Sequence, residues 1–256
     1  MTSRNSIQKK YSRKSNYILA ILITSLGILF PSCNHASKTS SNIKELLTLQ
    51  LAQALTTGAI GSAYSSISIA PDTSIYAAGH IYGTGINTFG TGVTANGTVL
   101  SNSAVVVNYN SSGVAQWART VTTVSMDPND ESFFNSISVA PDNSVYATGY
   151  ITGYIVDLTY DFGTGKTGTS TANEHDAVLV KYNNLGQAQW VQAVAGAYTS
   201  LFSNAAATSD NLSAYAVGSF VATVTYNFGN NITRTETAAG NNFVLVKYSS
   251  AGVAQW

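Results

Sequence analysis

The chain has 256 residues, of which 45% are hydrophobic and only 9% are charged, and it includes 15 Tyr, 21 Gly and one Cys. This composition favours a β-rich, turn-rich protein, and the lone cysteine excludes an internal disulfide framework. Residues 1–32 hold five of the 12 Lys and Arg and none of the 12 Asp and Glu, so the rest carries a formal charge of −5, which argues against a nucleic-acid partner because phosphate binding needs clustered cations.

Residues 1–32 have the pattern of an export signal. A basic stretch precedes a 14-residue apolar run from Tyr17 to Phe30, which is shorter than the ~20 residues of a membrane span and fits a signal peptide. The run leads to Phe30-Pro31-Ser32-Cys33. This segment resembles the lipobox of bacterial lipoproteins, where a small residue precedes the cysteine that is cleaved at and lipidated.

The lipobox resemblance implies that Cys33 carries fatty acyl chains such as palmitate, which anchor the protein in a membrane. The implied location is the bacterial cell envelope, as an outer-membrane lipoprotein. The alternative interpretation is an ordinary signal peptide, or an uncleaved anchor, with Cys33 as a bystander.

Residues 33–60 connect the signal to the rest of the chain. Residues 34–42 are small and polar, as in a flexible tether. Apolar residues then recur from Ile43 to Leu55, after the N-cap candidates Ser41 and Asn42. This pattern predicts a short helix.

Three copies of one pattern follow, in the segments 61–124, 125–197 and 198–256. Each copy begins with a strand, followed by an Asp-containing turn. The strand alternates small and β-branched residues in the first two copies, as from Ser136 to Ala140, and is degenerate in the third, from Asn204 to Ala207. A return strand then ends at a glycine. It is followed by a loop that is rich in Thr, Asn and Gly and contains a Phe-Gly pair. An apolar run comes next, as expected of a strand buried on both faces. A Gly-x-Ala-Gln-Trp strand closes the copy. The recurring residues are Gly79, Gly149 and Gly218; Phe89, Phe162 and Phe228; Tyr109, Tyr182 and Tyr248; and Trp117, Trp190 and Trp256.

The spacing within the copies indicates a structural repeat. Phe to Trp is 28 residues in every copy (89 to 117, 162 to 190, 228 to 256), and Tyr to Trp is 8 (109 to 117, 182 to 190, 248 to 256). Lengths vary elsewhere, in loops where extra backbone costs little. Four strands recurring every ~70 residues predict the blades of a β-propeller or a comparable β-array.

The consensus of the copies is Ser-Ile-x-Val-Ala-x-Asp-x-x-x-Val-Tyr-Ala-x-Gly, then Phe-Gly, then Asp-Ala-Val-Leu-Val-Lys-Tyr, framed by Gly-x-x-x-Trp. It resembles the SBBP (beta-propeller repeat) family of bacterial surface proteins. The resemblance covers roughly residues 64–256 and is strongest from about Trp117 to Trp190. It implies blades of four antiparallel strands around a central axis, and it implies no catalytic residues.

The expected fold is therefore all-β, with about three four-stranded antiparallel blades after an N-terminal signal helix. Three blades are fewer than the 4–8 of ordinary propellers, and the sequence stops at Trp256, so we expect an open or incomplete array, as in the front part of a longer propeller. Its last blade is expected to expose an edge that invites strand addition. The three tryptophans are expected to cover seams between blades, with a sugar-binding row as the alternative.

Three stretches contain chemistry-bearing residues, and each is better explained structurally. Gly163 to Thr167 includes Gly-Lys-Thr but lacks the first glycine of a phosphate-binding loop, because position 160 is Tyr. Asp127 to Glu131 clusters oxygen ligands for calcium without the glycine of an EF-hand loop. Glu174 to Asp176 are consecutive strand residues, so their side chains alternate between faces. We predict no catalytic residue, no metal site and no cofactor.

The hypothesis from sequence is a non-enzymatic binding module at the cell envelope, whose loops contact a protein or glycan partner. One alternative is a periplasm-facing scaffold for the assembly of outer-membrane proteins, and another is a truncated remnant of a longer propeller. An enzyme ranks last, because the acidic residues lie mostly in turns.

Overall fold

The computed structural model describes residues 61–256, except 91, 195, 197, 222–223 and 236–239. Within those residues the chain forms β-strands in antiparallel sheets and no helix, which confirms the predicted all-β class. The predicted signal over residues 1–32, the tether and the helix from Ile43 to Leu55 lie outside the described residues.

The strands follow the three copies seen in the sequence, which we call repeats 1, 2 and 3. Repeat 1 contains β1 (Ala63–Ile69), β2 (Ile75–Tyr82), β3 (Gly85–Gly90), β4 (Val93–Gly97), β5 (Asn102–Tyr109) and β6 (Ala115–Thr120). Repeat 2 contains β7 (Glu131–Val139), β8 (Val145–Gly153), β9 (Thr159–Asp161), β10 (Thr167–Thr169), β11 (Glu174–Tyr182) and β12 (Ala188–Ala193). Repeat 3 contains β13 (Ser200–Ala207), β14 (Ser213–Val221), β15 (Thr225–Asn227), β16 (Thr233–Thr235) and β17 (Asn241–Ser249).

The main sheets have the same strand order in each repeat. Repeats 1 and 2 form four-stranded sheets in the orders β1-β2-β5-β6 and β7-β8-β11-β12, and repeat 3 forms a three-stranded sheet in the order β13-β14-β17. The expected fourth strand of repeat 3 is reduced to a short pairing beside β17. There the Lys247 N–H donates to the Trp256 carbonyl at 2.9 Å, and the Gln255 N–H donates to the Lys247 carbonyl at 2.8 Å.

A two-stranded hairpin is inserted between the second and third strands of each main sheet. These hairpins, β3–β4, β9–β10 and β15–β16, replace the loop expected from the Thr-, Asn- and Gly-rich sequence. In repeats 2 and 3 these strands escaped prediction because three residues are too few for a period-2 pattern to stand out. In repeat 1 they are six and five residues long, but they are rich in the Gly, Asn and Thr that are typical of loops. Phe162 and Phe228 directly follow β9 and β15 and are buried, so the Phe-Gly pair closes the hairpin onto its repeat.

The glycine that recurs in the second strand of each repeat allows a close backbone approach. The first strand of each repeat carries a β-bulge opposite this glycine, between Phe134 and Ser136 in repeat 2. A Cβ on Gly149 would lie 1.7 Å from the Phe133 carbonyl oxygen, and those on Gly79 and Gly218 would lie 2.0 and 1.9 Å from equivalent carbonyls. Any side chain at these positions would force the bulge apart, which explains the recurrence of Gly79, Gly149 and Gly218.

The three sheets pack against one another in chain order, and each repeat has a forward face toward the next repeat and a backward face toward the previous one. One core joins the forward face of repeat 1, including Ala78, Ala104 and Val106, to the backward face of repeat 2. A second core joins the forward face of repeat 2, including Ala177 and Leu179, to the backward face of repeat 3. The third strands of repeats 1 and 2, β5 and β11, are therefore buried on both faces, as their continuous apolar runs predicted. The prediction is wrong for β17 in repeat 3, which is exposed at Phe243 and Leu245.

The tryptophans of repeats 1 and 2 each rest on a glycine turn of the next repeat. The Trp117 indole N–H donates to the Asn184 carbonyl at 2.9 Å, and the Trp190 indole N–H donates to the Ser250 carbonyl at 3.0 Å. Both rings pack directly on the backbone of a glycine in the left-handed region, Gly186 (φ 72°) and Gly252 (φ 81°). Each of these glycines lies four positions before the tryptophan of its own repeat (186 to 190, 252 to 256).

Gly186→Ala should weaken the junction between repeats 1 and 2. The new Cβ would lie 2.7 Å from Trp117 Cε3, so the ring must move, and the left-handed backbone adds about 1–2 kcal/mol of strain. Gly165→Ala is the matched control, because Gly165 has φ 70° but a Cβ added there would meet no atom within 4 Å. In urea titrations of the full chain, Gly186→Ala should lose about 1–3 kcal/mol more than the control. Equal losses would show that the tryptophan seat contributes nothing.

The recurring tyrosine at the end of each third strand is buried, but only the first has a partner for its hydroxyl. The Tyr109 and Tyr64 hydroxyls lie 2.8 Å apart. Repeats 2 and 3 have Phe134 and Phe202 where repeat 1 has Tyr64, and the Tyr182 and Tyr248 hydroxyls are buried without a hydrogen-bond partner. Burial correspondingly raises the pKa of Tyr182.

Tyr182→Phe and Tyr109→Phe should therefore differ in sign or size. Removing the unpaired Tyr182 hydroxyl should leave the free energy of unfolding unchanged or raise it, whereas Tyr109→Phe should lower it by about 1 kcal/mol by stranding the Tyr64 hydroxyl. Chemical denaturation of the two variants beside wild type measures both. A larger loss for Tyr182→Phe than for Tyr109→Phe would contradict the assignment.

Candidate interaction surface

The forward faces of repeats 1 and 2 are both buried beneath the next repeat. In repeat 2, Thr148, Ala177 and Leu179 are each 0% exposed beneath repeat 3. The three corresponding residues of repeat 1 are buried in the same way beneath repeat 2: Ala78, Ala104 and Val106. These positions hold small or medium-sized side chains because another sheet lies directly on them.

The forward face of repeat 3 has no sheet on it among the described residues, and it exposes larger apolar groups. Val217 is 41% exposed, Leu245 is 51% exposed and Phe243 is 90% exposed. These residues correspond to Thr148, Leu179 and Ala177 by strand register. Contiguous exposed apolar residues on a sheet face indicate an interaction surface rather than scattered surface variation. We call Val217, Phe243, Leu245 and Trp256 the open face.

Trp256 makes the same contact with a tyrosine of its own repeat as the other two tryptophans do, but in the described residues it lacks their contact with a glycine turn. Its ring centroid lies 5.9 Å from that of Tyr215, the same separation as in the Trp117–Tyr76 and Trp190–Tyr146 pairs. It has no glycine turn beneath it in the described residues, and 54% of its surface is exposed. Trp256 is therefore presented with the geometry that Trp117 and Trp190 use to contact the next repeat.

A groove of about 350 Å³ runs beside the open face. It lies between the β15–β16 hairpin and β17. It follows the edge of β17 that corresponds to the edge of β11 paired with β12 in repeat 2. The described residues that line it are mainly apolar and include one cation and no carboxylate: Phe228, Ile232, Thr233, Arg234, Phe243, Val244, Leu245, Val246 and Trp256. An extended backbone could add to this edge, because within the described residues β17 pairs only with β14 and, at Lys247 and Tyr248, with residues 254–256.

A second notable cluster, the aromatic stack, crosses the seam between repeats 1 and 2. The ring centroids are 4.3 Å apart for His80 and Phe133, 5.8 Å for Phe133 and Tyr150, and 4.4 Å for Tyr150 and His175. The rings use their faces against one another, and the Tyr150 hydroxyl donates to Glu131 at 2.8 Å. Burial lowers the pKa of His80. The stack is thus part of the packing between repeats 1 and 2.

The acidic loop uses its oxygens internally. Asp127 accepts from the backbone and side-chain nitrogens of Asn129 at 2.9 and 3.0 Å. Asp130 accepts from the Tyr154 N–H at 2.6 Å and from the Ser125 hydroxyl. Within the part of the chain that the structure describes, no three His, Cys, Asp or Glu side chains come together as a metal site.

The other two stretches singled out in the sequence also have structural roles. Gly163 to Thr167 forms the turn of the β9–β10 hairpin, where the Phe162 N–H donates to the Lys166 carbonyl at 2.9 Å. Glu174 accepts from the Thr199 hydroxyl of repeat 3 at 2.5 Å. Glu174 therefore serves the seam between repeats 2 and 3.

Asp176 is a buried carboxylate that closes the inserted hairpin of repeat 2. It accepts from the backbone N–H and the hydroxyl of Thr171. In repeat 1 the same position is Ser103, whose hydroxyl accepts from the Thr98 N–H at 3.0 Å. Burial raises the pKa of Asp176 to about 7, and the Thr171 hydrogen bonds oppose this shift.

The sequence-predicted positions fall in the junctions rather than in a single site. Trp117 and Trp190 join neighbouring repeats, whereas the glycines, phenylalanines and tyrosines hold individual repeats together. Cys33 lies outside the described residues. Sequence analysis recorded Gly186 and Gly252 only as part of the Gly-x-x-x-Trp motif, and their contact with the tryptophan of the previous repeat became visible only in the structure.

Comparison with known proteins adds no relative. No protein-family model matches the chain, and no curated protein matches its sequence. Among the described residues, none forms a helix with the length and apolarity that crossing a membrane requires.

Asp176→Asn should change how stability depends on pH. The folded protein holds the Asp176 proton more tightly than an unfolded chain with a pKa of 3.8 does. The stability that results is fully present below pH 3.8 and is lost as the pH rises through about 7. The neutral Asn removes this loss, so the variant should gain on wild type by up to a few kcal/mol between pH 4 and pH 8, at about 1.4 kcal/mol per pKa unit.

Melting temperatures measured every half pH unit would test this expectation. Asp176→Ser, which copies repeat 1, is the control for loss of the carboxylate with a hydroxyl retained. Parallel curves for wild type and both variants would contradict a raised pKa at Asp176.

Proposed function

We propose that this protein is an exported, lipid-anchored protein of the β-propeller type that acts as a non-enzymatic interaction module at the bacterial cell envelope. The open face of repeat 3 is the surface that carries the proposal. It places Phe243, 90% exposed, where both other repeats have a buried alanine. Exposing this much apolar surface is unfavourable in water unless a partner covers it.

The arrangement of the repeats supports the propeller interpretation. Each main sheet has its first strand at one edge, and these edge strands lie next to one another. The Ser66 hydroxyl accepts from the Ile137 N–H at 3.3 Å, and the Ser138 hydroxyl accepts from the Ala207 N–H at 3.0 Å. Blades around a central axis have their innermost strands adjacent in this way. The resemblance of the sequence to the SBBP repeat family points in the same direction.

Lipid anchoring is supported by the sequence alone. The basic start, the apolar run from Tyr17 to Phe30 and the following Ser32-Cys33 are the features that a lipoprotein signal combines. Anchoring through Cys33 would hold the repeats close to a bilayer, with the segment 34–60 as the connection.

A second candidate, a periplasm-facing scaffold for outer-membrane protein assembly, is favoured by the edge of β17 that borders the groove, on which the described residues place no further strand. A client in extended conformation could add a strand there, as peptides do on exposed sheet edges. Protease treatment of intact cells separates the candidates, because cleavage of the repeats requires exposure at the cell surface, and protection places them in the periplasm.

Cys33→Ala should abolish lipid attachment. Cells that express the full chain would be fed a labelled fatty acid, and the label on the purified protein would be measured. We expect incorporation in wild type and in a Thr39→Ala control, and none in Cys33→Ala, because no other cysteine is present. Label that persists on Cys33→Ala would refute the lipoprotein assignment.

A further inference from the structure

Two connections at repeat 2 are longer than their counterparts elsewhere. The connection from the glycine of the second strand to the Phe-Gly pair is three residues longer in repeat 2 than in repeats 1 and 3 (149 to 162 against 79 to 89 and 218 to 228). The connection from the preceding tryptophan to the Asp of the first turn is five residues longer for repeat 2 than for repeat 3 (117 to 142 against 190 to 210). The added residues fall mainly in the loops 122–130 and 153–158, before β7 and after β8, which we call the paired loops.

The paired loops lie side by side at one end of repeat 2. Glu131, the first residue of β7, pairs with Thr152 near the end of β8, so the two loops meet at the same end of the sheet. The buried carboxylate of Asp130 accepts from the Tyr154 N–H of the second loop at 2.6 Å and from the Ser125 hydroxyl of the first. One buried side chain therefore fastens both loops together.

Exposed apolar side chains stand on both loops. Val124 is 97% exposed and Met126 is 83% exposed, and the consecutive residues Tyr154, Ile155 and Val156 are also exposed. Because a shared carboxylate holds the loops together, the two groups are neighbours. Single apolar residues are common on protein surfaces, but several on two joined loops form a patch of the kind that contacts a partner. We call these five residues the loop patch.

The second loop is fixed at both ends, which orders the side chains of the loop patch. At its start, a Cβ on Gly153 would lie 2.2 Å from the Val156 carbonyl oxygen, so any side chain there would force the turn open. At its end, the Asp157 carboxylate accepts from the Ala172 N–H at 2.8 Å. Side chains that are ordered before binding lose less conformational entropy when a partner covers them.

Repeat 2 also accounts for the net negative charge of residues 61–256. It contains eight Asp and Glu and two Lys, a formal charge of −6, whereas repeats 1 and 3 each have equal numbers of acidic and basic residues. The paired loops and the residue that follows the first of them include Asp127, Asp130, Glu131 and Asp157, and they include no Lys or Arg. The surroundings of the loop patch are therefore acidic, and a positively charged partner complements them.

We infer that the loop patch binds a protein segment in which Lys or Arg lies beside aliphatic side chains. The aliphatic groups of the segment would cover Val124 and Ile155, and its cations would lie near Asp157. A bilayer is a poorer match, because anionic lipids would repel the carboxylates and the paired loops lack the Lys and Arg that hold proteins on such surfaces. The inference goes beyond the proposed function, since it concerns a surface other than the open face and does not depend on a lipid at Cys33.

Selection from a library of short random peptides displayed on phage tests the inference. The library would first be depleted on a Val124→Ser/Ile155→Ser double variant and then selected on the wild-type full chain, both purified in a mild detergent. The retained peptides should be enriched in Lys and Arg next to Leu, Ile, Val or Phe. Retention of no peptide, or of peptides that lack either the cations or the apolar residues, would overturn the inference.

The most enriched peptide would then be synthesised and its Kd measured with each variant. Val124→Ser/Ile155→Ser should weaken binding at least about tenfold, because apolar contacts at the centre of an interface contribute most of its affinity. Ile86→Ser/Leu185→Ser is the matched control, since both residues are exposed aliphatic groups outside the paired loops, and it should have no effect. Each variant would first be shown to unfold at the wild-type temperature. Equal losses in the two double variants would rule out the loop patch as the binding surface.

Asp157→Asn tests the charge of the partner. It should weaken peptide binding about two- to threefold and reduce the dependence of Kd on salt, because one screened surface contact is lost. The amide oxygen can still accept from the Ala172 N–H, so the loop is preserved. Asp72→Asn, in the turn after β1, is the control and should change neither quantity. A salt dependence that is the same in Asp157→Asn as in wild type would contradict a cationic partner.

A dye on the loop patch distinguishes a peptide from a bilayer. In a Cys33→Ala/Met126→Cys chain, the thiol at position 126 is the only one, and it would carry an environment-sensitive dye. The emission should shift to the blue when the synthesised peptide is added and stay unchanged with vesicles of phosphatidylcholine and phosphatidylglycerol. A blue shift with vesicles alone would make a bilayer the occupant and overturn the inference. The anchor is absent from this chain, so either result leaves the lipid attachment at Cys33 to its own test.

Discussion

The contact of a tryptophan with the glycine turn of the next repeat is the constraint on which the rest of the structure depends. The turn must present a bare backbone and a carbonyl to the indole, which only a glycine in the left-handed region allows at Gly186 and Gly252. Trp117 and Trp190 each follow the tyrosine of their own repeat by eight positions in the sequence. The contact between tryptophan and glycine turn therefore fixes how one sheet is placed against the next. The apolar cores between sheets then follow from that placement.

Equivalent positions acquire different roles once the sheets are stacked. Ala177 is enclosed between two repeats, whereas Phe243 at the same register position is exposed. A small side chain is favoured at the buried position because it lets the two sheets pack closely. The exposed position has a large side chain that a partner can cover. The interaction role we propose arises from this difference between repeats, and the repeated motif itself supplies only the scaffold.

Polar groups show the same division between repeated scaffold and local variation. The serines that accept from backbone N–H groups recur across both internal seams, because the backbone of a packed sheet edge must be satisfied. Other polar groups are specific to one repeat. Tyr64 pairs with Tyr109 only in repeat 1, and Asp176 stands where repeat 1 has Ser103. These differences make individual repeats unequal in pH response and stability while their strand order is unchanged.

The sequence by itself determined the all-β class, the three copies and most of the main strands, because period-2 alternation, turn residues and constant spacing are local signals. It also marked Gly149 and Trp190 as structural positions, because they recur. The inserted hairpins, the glycine seats and the open face were decided only by the tertiary structure. The hairpin strands are either only three residues long or rich in Gly, Asn and Thr, so they show no clear period. Whether Phe243 is buried or exposed depends on which sheet lies beside it, and no local pattern records that.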